Sequence, residues 1–187
     1  MSKKILIIRG SARESGFTNA LCDYASDILS GRSECEIKVF NTFFENFEAC
    51  DGCNFCEKHF CCRHGDLDPF FADFENADLI IFASPVYNGT FSAPMKALID
   101  RFQVYYTAFY AKGKVQPIQK KRRALLFAAS GRSGETAFNY MKTQLASSFS
   151  ILNIEFAGAV LCPFTDTVPL IEEAKAEIRN LLCKEEQ

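Results

Sequence analysis

The residues best suited to chemistry in this chain are its cysteines, nine in all, of which five lie between positions 50 and 62. Cys50, Cys53 and Cys56 follow one another at intervals of three, and either Cys61 or Cys62 supplies a fourth thiol. Four closely spaced thiols suit a 4Fe-4S cluster, because each iron of the cube takes one cysteine. We expect no export signal, so the thiols should stay reduced and a metal or redox group is favoured over a disulfide framework.

Two other interpretations of this cysteine-rich loop, residues 50–65, stay open. Zinc is one of them, because His59 and His64 stand beside the thiols and zinc takes mixed cysteine and histidine ligands. A loop that binds no metal is the other. The remaining cysteines are scattered and are expected to be small core or surface residues; they are Cys22, Cys35, Cys162 and Cys183.

A second group of polar residues follows the first apolar run of the chain, residues 5–8. The loop that begins there carries hydroxyls, a guanidinium and an amide, and it opens onto an amphipathic stretch at 20–29. The N–H groups and the dipole at the start of a helix bind phosphate. The loop lacks the triple glycine of a dinucleotide site, and Phe17 stands where a P-loop has lysine. Hydroxyl donors with few glycines suit a terminal monophosphate, which points to FMN.

The order of predicted elements indicates the fold. Strands are expected at 5–8, 35–40, 78–84, 123–129 and 154–161, and helices at 20–29, 66–76, 93–106, 136–149 and 171–182. This alternation predicts an α/β three-layer sandwich of flavodoxin-like topology, with a five-stranded parallel sheet of order 2-1-3-4-5, in a single domain over 1–187. The first, third and fourth strands are then neighbours, and each is followed by a polar loop. Three loops should therefore meet at the carboxyl edge, where open sheets bind ligands.

Composition argues against several classes of protein. The chain has 187 residues, a formal net charge of −2 and a pI of about 5.8, which gives no electrostatic case for nucleic acid. No apolar run approaches the roughly 18 residues that span a membrane, so a cytoplasmic protein is expected. The basic run 120–123 should be a solvated lead-in to a strand. An aromatic patch on a connecting segment should serve packing, a subunit contact or a wall over a planar substrate: Tyr105, Tyr106, Phe109 and Tyr110.

Three segments resemble the NADPH-dependent FMN reductase and iron-sulfur flavoprotein branch of the flavodoxin-like superfamily. Residues 10–18 (GSARESGFT) are similar to the phosphate loop of that family, with Ala12 where proline is common. Residues 84–101 (SPVYNGTFSAPMKALIDR) are the most specific match. Residues 50–68 (CDGCNFCEKHFCCRHGDLD) resemble the cysteine segment of the iron-sulfur flavoproteins and of their cluster-free relatives.

The resemblance implies which residues form the sites. The FMN phosphate would be held by Ser11, Arg13, Ser15, Phe17, Thr18 and Asn19. The ribityl chain and the isoalloxazine edge would be lined by Pro85, Val86, Tyr87, Asn88 and Gly89. The ring site would be completed by Ser130, Gly131, Arg132 and Gly134. A 4Fe-4S cluster would be ligated by Cys50, Cys53, Cys56 and Cys62, with Cys61 as the alternative fourth ligand.

Structural roles for some of these residues also remain open. Ser11 and Thr18 could be helix caps, and 85–89 could be a plain turn. Lys96 and Arg101 are expected to be structural, paired with Asp100 or with solvent.

The resemblance implies an FMN-dependent NAD(P)H oxidoreductase that accepts hydride at flavin N5 and passes electrons to a quinone, a nitro compound or a flavin. We expect no catalytic side chain, because the flavin carries the chemistry. The alternative is an electron-transfer module that couples FMN to a 4Fe-4S cluster and a redox protein partner, and a third interpretation is a redox- or metal-sensing protein. A homodimer or homotetramer is expected, with 102–110 as a candidate contact.

Overall fold

The computed structural model describes residues 2–32, 34–166 and 172–183. Its strands are β1 (Lys3–Arg9), β2 (Cys35–Asn41), β3 (Leu79–Pro85), β4 (Arg122–Ala129) and β5 (Ile154–Cys162). Its helices are α1 (Phe17–Ser30), α2 (Phe55–His59), α3 (Asp68–Asn76), α4 (Ala93–Asp100), α5 (Gln103–Ala111), α6 (Glu135–Leu152) and α7 (Glu172–Cys183), with a 3-10 turn at Gly65–Leu67. The strands pair in parallel in the order β2-β1-β3-β4-β5, which confirms the predicted sheet.

The central strands are apolar because helices cover both faces of the sheet. Successive side chains of a strand point to opposite faces. Leu6 and Ile8 therefore pack in the core under α3 to α6, whereas Ile5 and Ile7 pack in the core under α1 and α7. No helix in the part of the chain that the structure describes is both long and apolar enough to cross a bilayer.

Most predicted elements end within three residues of the observed ones, although Ile171, the predicted start of the last helix, lies outside the described residues. The single helix predicted at 93–106 is wrong, since the chain forms α4 and α5 with a tight turn between them. In that turn the Phe102 amide donates to the Ile99 carbonyl at 3.0 Å, a 3-10 contact. Arg101 and Phe102 are both buried there. Phe102 packs in the hydrophobic core, whereas Arg101 pairs with Asp66 just after the cysteine-rich loop.

The aromatic patch belongs to α5, so the prediction that it lies on a connecting segment is wrong. Tyr105 is buried and donates a hydrogen bond to the Glu75 carboxylate at 2.9 Å. Tyr106 and Tyr110 are about half exposed, with their ring centroids 4.6 Å apart. Only the exposed part of the patch can contact another molecule.

Arg122 corrects the prediction that the basic run is solvated. The residue is 2% exposed, and its guanidinium lies 5.0 Å from the centroid of the Phe74 ring. It donates to the carbonyls of Phe74 at 2.7 Å and of Leu152 at 2.5 Å. Those carbonyls lie near the carboxyl ends of α3 and α6, where the helix itself supplies no partner. Burial lowers the pKa of Arg122 to about 10.

Replacing Asp78 by asparagine should make the free energy of unfolding depend less on pH at acid pH. The Asp78 carboxylate accepts from the Lys4 amide at 2.8 Å and pairs with Lys120 at 2.7 Å. Burial alone would raise the pKa of Asp78, but these two partners outweigh it and hold the pKa below its usual value. The unfolded chain therefore binds the proton more readily, so this stabilisation is present above about pH 4 and is lost as the pH falls through the folded pKa.

Urea denaturation at several pH values from about 3 to about 7 measures this effect, because this interval includes the usual carboxyl pKa of about 4. At neutral pH the variant should lose less than about 1 kcal/mol, as for other partly exposed pairs. Asp100→Asn is the matched control, because Asp100 also pairs with a lysine but, within the described residues, accepts no backbone amide. An unchanged acid slope in Asp78→Asn would contradict the assignment.

Candidate active site

Three polar loops leave the carboxyl ends of β1, β3 and β4, which are neighbours in the sheet. Backbone hydrogen bonds join their bases. The Gly10 amide donates to the Ala83 carbonyl at 2.7 Å, and the Val86 amide donates to the Ala129 carbonyl at 2.7 Å. The loops therefore converge at one edge of the sheet, at the position where open α/β sheets bind ligands.

The first loop ends at a helix amino terminus that lacks a side-chain cap. Gly16 precedes α1, and within the described residues no side chain caps the first turn. The alternative role of Ser11 and Thr18 as caps is therefore wrong. The Ser11 hydroxyl instead accepts from the Arg13 amide at 3.2 Å, and Asn19 donates to the Arg13 carbonyl at 2.8 Å. These contacts hold the loop and leave the first-turn amides as donors for an anion.

The second loop carries a tight turn from Tyr87 to Thr90. The amide of each of these two residues donates to the carbonyl of the other, at 2.9 and 3.1 Å. Asn88 and Gly89 between them have φ values of 50° and 83°, which is a type I′ turn and suits the sequence Asn-Gly. Buried Ser84 closes the base of the loop by accepting from the Ser92 amide at 3.1 Å. Residues 87–89 are thereby presented as an exposed tip, so the turn alternative and a binding role are compatible.

The third loop is compact and ends at Gly134. The Ser130 hydroxyl accepts from the Arg132 amide at 3.3 Å. Gly134 has a φ of 69°, and a Cβ there would lie 2.8 Å from the Phe138 ring and 2.9 Å from the Cβ of Ser130. Only glycine fits this position, because the backbone is left-handed and the neighbouring atoms are close.

A fourth loop, residues 163–166, packs on the third, and the sequence analysis did not place it in the site. The Thr165 amide donates to the Ser130 carbonyl at 3.0 Å, and the Phe164 amide donates to the Arg132 carbonyl at 3.1 Å. Phe164 has a φ of 59° and is 54% exposed. The only sequence signal was the polar pair Thr165 and Asp166 after the last strand, which by itself specifies no function.

The cysteine-rich loop contains α2 and packs on α5, where the Cys56 sulfur lies 3.6 Å from the Thr107 hydroxyl oxygen. One cavity of about 30 Å³, room for roughly two waters, is bordered by Cys50, Cys53, Cys56 and Cys62. Cys61 is exposed and does not line it. Across the described residues, which include the whole loop, no three side chains of His, Cys, Asp or Glu lie close enough together to hold a metal ion.

Arg101 corrects another prediction, since its partners are neither Asp100 nor solvent. Its side chain is 1% exposed and pairs with the Asp66 carboxylate at 2.7 Å. It also donates to the carbonyls of Glu48 at 2.6 Å and of His64 at 3.0 Å. Lys96 does pair with Asp100, at 2.5 Å, as expected.

Wider grooves lie away from the polar loops, and two of them are defined by their lining residues. One, of about 520 Å³, is at the amino edge of the sheet and is bordered by Lys3, Arg122 and Asn153. The other, of about 470 Å³, runs between α5 and α6 beside Tyr106, Tyr110 and Tyr140. Neither contains residues that the sequence analysis assigned to a cofactor.

Comparison with known proteins identifies the class to which this fold and loop arrangement belong. The profile of the NADPH-dependent FMN reductase family matches residues 3–159, so the chain belongs to that family. It is 33% identical over 113 residues to an iron-sulfur flavoprotein of Methanocaldococcus jannaschii, a match that covers 60% of this chain and 58% of that protein. It is 30% identical over 96 residues to an FMN-dependent NADH:quinone oxidoreductase of Methylocella silvestris, covering 48% of this chain and 47% of that protein. The chain thus matches about half the length of these relatives.

A solved structure resembles the fold over its whole length. It is an FMN-dependent NADH-azoreductase of Bacillus anthracis in complex with FMN, with a TM-score of 0.76 and coverage of 99% of this chain and 100% of that one. The sequence identity is 16%, so this likeness concerns the fold alone.

Proposed function

We propose that the chain is an FMN-dependent oxidoreductase that takes hydride from NADH or NADPH and passes electrons to a small acceptor such as a quinone, a nitro compound or a flavin. The observation that carries the proposal is the convergence of three polar loops at one sheet edge, beside an uncapped helix amino terminus. Membership of the FMN reductase family supports FMN as the ligand of that edge.

The loop residues fit FMN in the kinds of donor that they offer. The first-turn amides of α1, together with the hydroxyls of Ser11, Ser15 and Thr18, would bind the phosphate, and exposed Arg13 would add a positive charge. On the second loop the Thr90 hydroxyl is buried and has no hydrogen-bond partner within the described residues. Buried polar groups normally have a partner, so this hydroxyl supports a polar ligand nearby. The other assigned residues of the three loops stay predictions.

The chain itself would bind and orient the flavin, not react with the substrate. FMN, when bound, supplies the hydride and electron transfer. The backbone amides near Asn88 and Gly131 are placed on the two loops that would flank the ring, and they are candidates to polarise it. The exposed tip at 87–89 would leave one side of the site open to a nicotinamide and then to the acceptor.

A second function is favoured by the cavity that four cysteines share. In this second function, FMN would exchange electrons with a 4Fe-4S cluster and a redox protein partner. Cys50, Cys53, Cys56 and Cys62 fit the cluster in the number and kind of donor, and the name of the Methanocaldococcus relative supports it. The cluster would supply one-electron transfer. Because the cavity has the volume of about two waters, the loop would have to open to admit it; zinc or a metal-free loop are the other outcomes.

We also infer that the chain forms a homodimer or homotetramer. The half-exposed rings of Tyr106 and Tyr110, with Tyr140 across the groove between α5 and α6, support a subunit contact on that side.

Anaerobic purification, followed by iron and sulfide analysis and by titration with NADH and NADPH, separates the two functions. Flavin absorption that either nicotinamide bleaches within seconds, without iron or sulfide, is expected for the first function. About four irons and four sulfides per chain, with no bleaching by a nicotinamide, would replace it by the second. A protein that does not bind added FMN would contradict both.

A further inference from the structure

The fourth loop, residues 163–166, follows β5 and is attached to the third loop, which we assign to the flavin ring. Two backbone hydrogen bonds join the loops, because the amides of Phe164 and Thr165 donate to third-loop carbonyls. The Asp166 carboxylate lies directly over Gly131, where it fills the space that a Cβ would need. The hydrogen bonds and this packing together place the fourth loop at the edge of the proposed ring site.

The backbone of Phe164 is unusual for so bulky a residue. Its φ is 59°, in the left-handed region that phenylalanine seldom adopts. Phe60 also has a positive φ, but it ends α2, and a left-handed residue is common at the end of a helix. Phe164 follows β5 and its ring is half exposed, so neither a helix end nor burial in the core explains its conformation. Strained backbone of this kind is concentrated at active sites and ligand contacts.

A second half-exposed ring, that of Tyr87, stands on the other side of the third loop. The strands β3, β4 and β5 are consecutive in the sheet, so the third loop lies between the loop that carries Tyr87 and the loop that carries Phe164. Aromatic rings bind flat rings by stacking or by edge-to-face contact. Exposed rings on both sides of one loop therefore suit a flat ligand.

We propose that Phe164 is a specificity-determining residue that selects flat electron acceptors, such as quinones, by contact with their rings. This inference rests on the first proposed function, because it needs FMN at the carboxyl edge to reduce the acceptor. Tyr87 is already assigned to the flavin, whereas no residue of the fourth loop is, so Phe164 is available to the second substrate. An acceptor without a flat ring should not depend on Phe164.

Binding of duroquinone to the oxidised, FMN-loaded protein, measured by equilibrium dialysis without a nicotinamide, tests the contact directly. The ring of duroquinone carries no hydrogen atom, so the exposed cysteines do not add to it. Phe164→Ala should raise the dissociation constant about tenfold, because it removes one ring contact and its apolar area. Phe164→Tyr keeps the ring and should stay within about twofold of the wild type.

Phe44→Ala is the matched control. Phe44 is also an exposed phenylalanine, but it follows β2, at the opposite end of the sheet from β5. The variant should bind duroquinone as the wild type does. Equal dissociation constants in Phe164→Ala and Phe44→Ala overturn the inference, and so does a loss that Phe164→Tyr does not restore.

Titration of the apoprotein with FMN separates the acceptor from the cofactor. Phe164→Ala should keep the FMN affinity of the wild type, since its ring is assigned to the second substrate. A weaker FMN affinity in this variant would assign the ring to the cofactor and would overturn the inference.

Steady-state kinetics with NADH separate the acceptor from the donor. In Phe164→Ala the KM for duroquinone should rise about tenfold at a similar kcat, as expected when a contact made equally in the ground state and the transition state is lost. Ferricyanide has no flat ring, so its rate should be unchanged, as should the rate at which NADH bleaches the flavin. A ferricyanide rate that falls as far as the duroquinone rate counts against the ring contact.

The two proposals fail in different ways. If NADH or NADPH bleaches the wild type but Phe164→Ala binds duroquinone normally, the first proposed function stands and the role of Phe164 is overturned. If neither nicotinamide bleaches the FMN-loaded wild type, the first proposed function is overturned and the role of Phe164 with it.

Discussion

Replacing Gly16 by alanine is expected to weaken FMN binding about tenfold or more, a loss of at least about 1.4 kcal/mol. A Cβ at position 16 would lie 2.9 Å from the Cβ of Arg13 and 3.0 Å from the Arg13 carbonyl oxygen. The obstacle is largely backbone, so the loop must shift and cannot simply turn a side chain away. Its hydroxyls and the first amides of α1 would then no longer point to the same phosphate.

Gly31 provides the matched control at the other end of the same helix. Its φ is −69°, and a Cβ there would meet no atom closer than 3.5 Å. Gly31→Ala should therefore bind FMN as the wild type does and should be equally stable or slightly more stable. Quenching of flavin fluorescence during titration of the apoprotein measures both affinities. Equal affinities in Gly16→Ala and Gly31→Ala would place the phosphate away from this loop.

Local pattern was enough to predict the sheet and the loops that leave it. The run 5–8 is apolar without alternation, which is typical of a strand covered on both faces, and it forms the centre of β1. The Asn-Gly pair at 88–89 forms the type I′ turn that its two positive φ values favour. The cysteine spacing singled out Cys50, Cys53 and Cys56 and left Cys61 and Cys62 as alternatives. Cys62 borders one cavity with the other three, and the ligand role of all of them stays a prediction.

The parts that sequence reasoning missed depend on partners far away in the chain. Arg101 is the direct neighbour of Asp100 in the sequence, so a pairing with Asp100 or with solvent was predicted, although adjacent residues of a helix do not face each other. Its actual partners, Glu48, His64 and Asp66, lie 35 to 53 positions earlier. No periodicity reports such contacts, and the break between α4 and α5, where Arg101 lies, contains no proline or glycine.

Arg122 is the second case, and its replacement by methionine is expected to cost about 2–5 kcal/mol of unfolding free energy. The guanidinium donates to the carbonyls of Phe74 and Leu152, which lie in the last turns of two different helices. Each buried acceptor left without a donor costs about 1–3 kcal/mol. Methionine fills much of the volume and carries no charge, so the loss reflects the unpaired carbonyls and not a new buried ion.

Two features of Arg122 limit the size of this loss. Its Nε is buried without a partner within the described residues, and burial lowers its pKa, so the folded state already carries a cost for this cation. Relieving that cost offsets part of the loss that the two unpaired carbonyls cause.

Arg123→Met is the control for Arg122→Met, since the neighbouring side chain is partly exposed and lies 3.8 Å from exposed Glu155. It should cost less than about 1 kcal/mol. Urea denaturation followed by circular dichroism gives both values. Arg122 starts β4 at the amino edge of the sheet, opposite the polar loops, so the folded Arg122→Met variant should keep its FMN affinity. Equal stability of the two variants would contradict the assignment, because Arg122 is a buried donor to two helix carbonyls, whereas Arg123 is partly exposed.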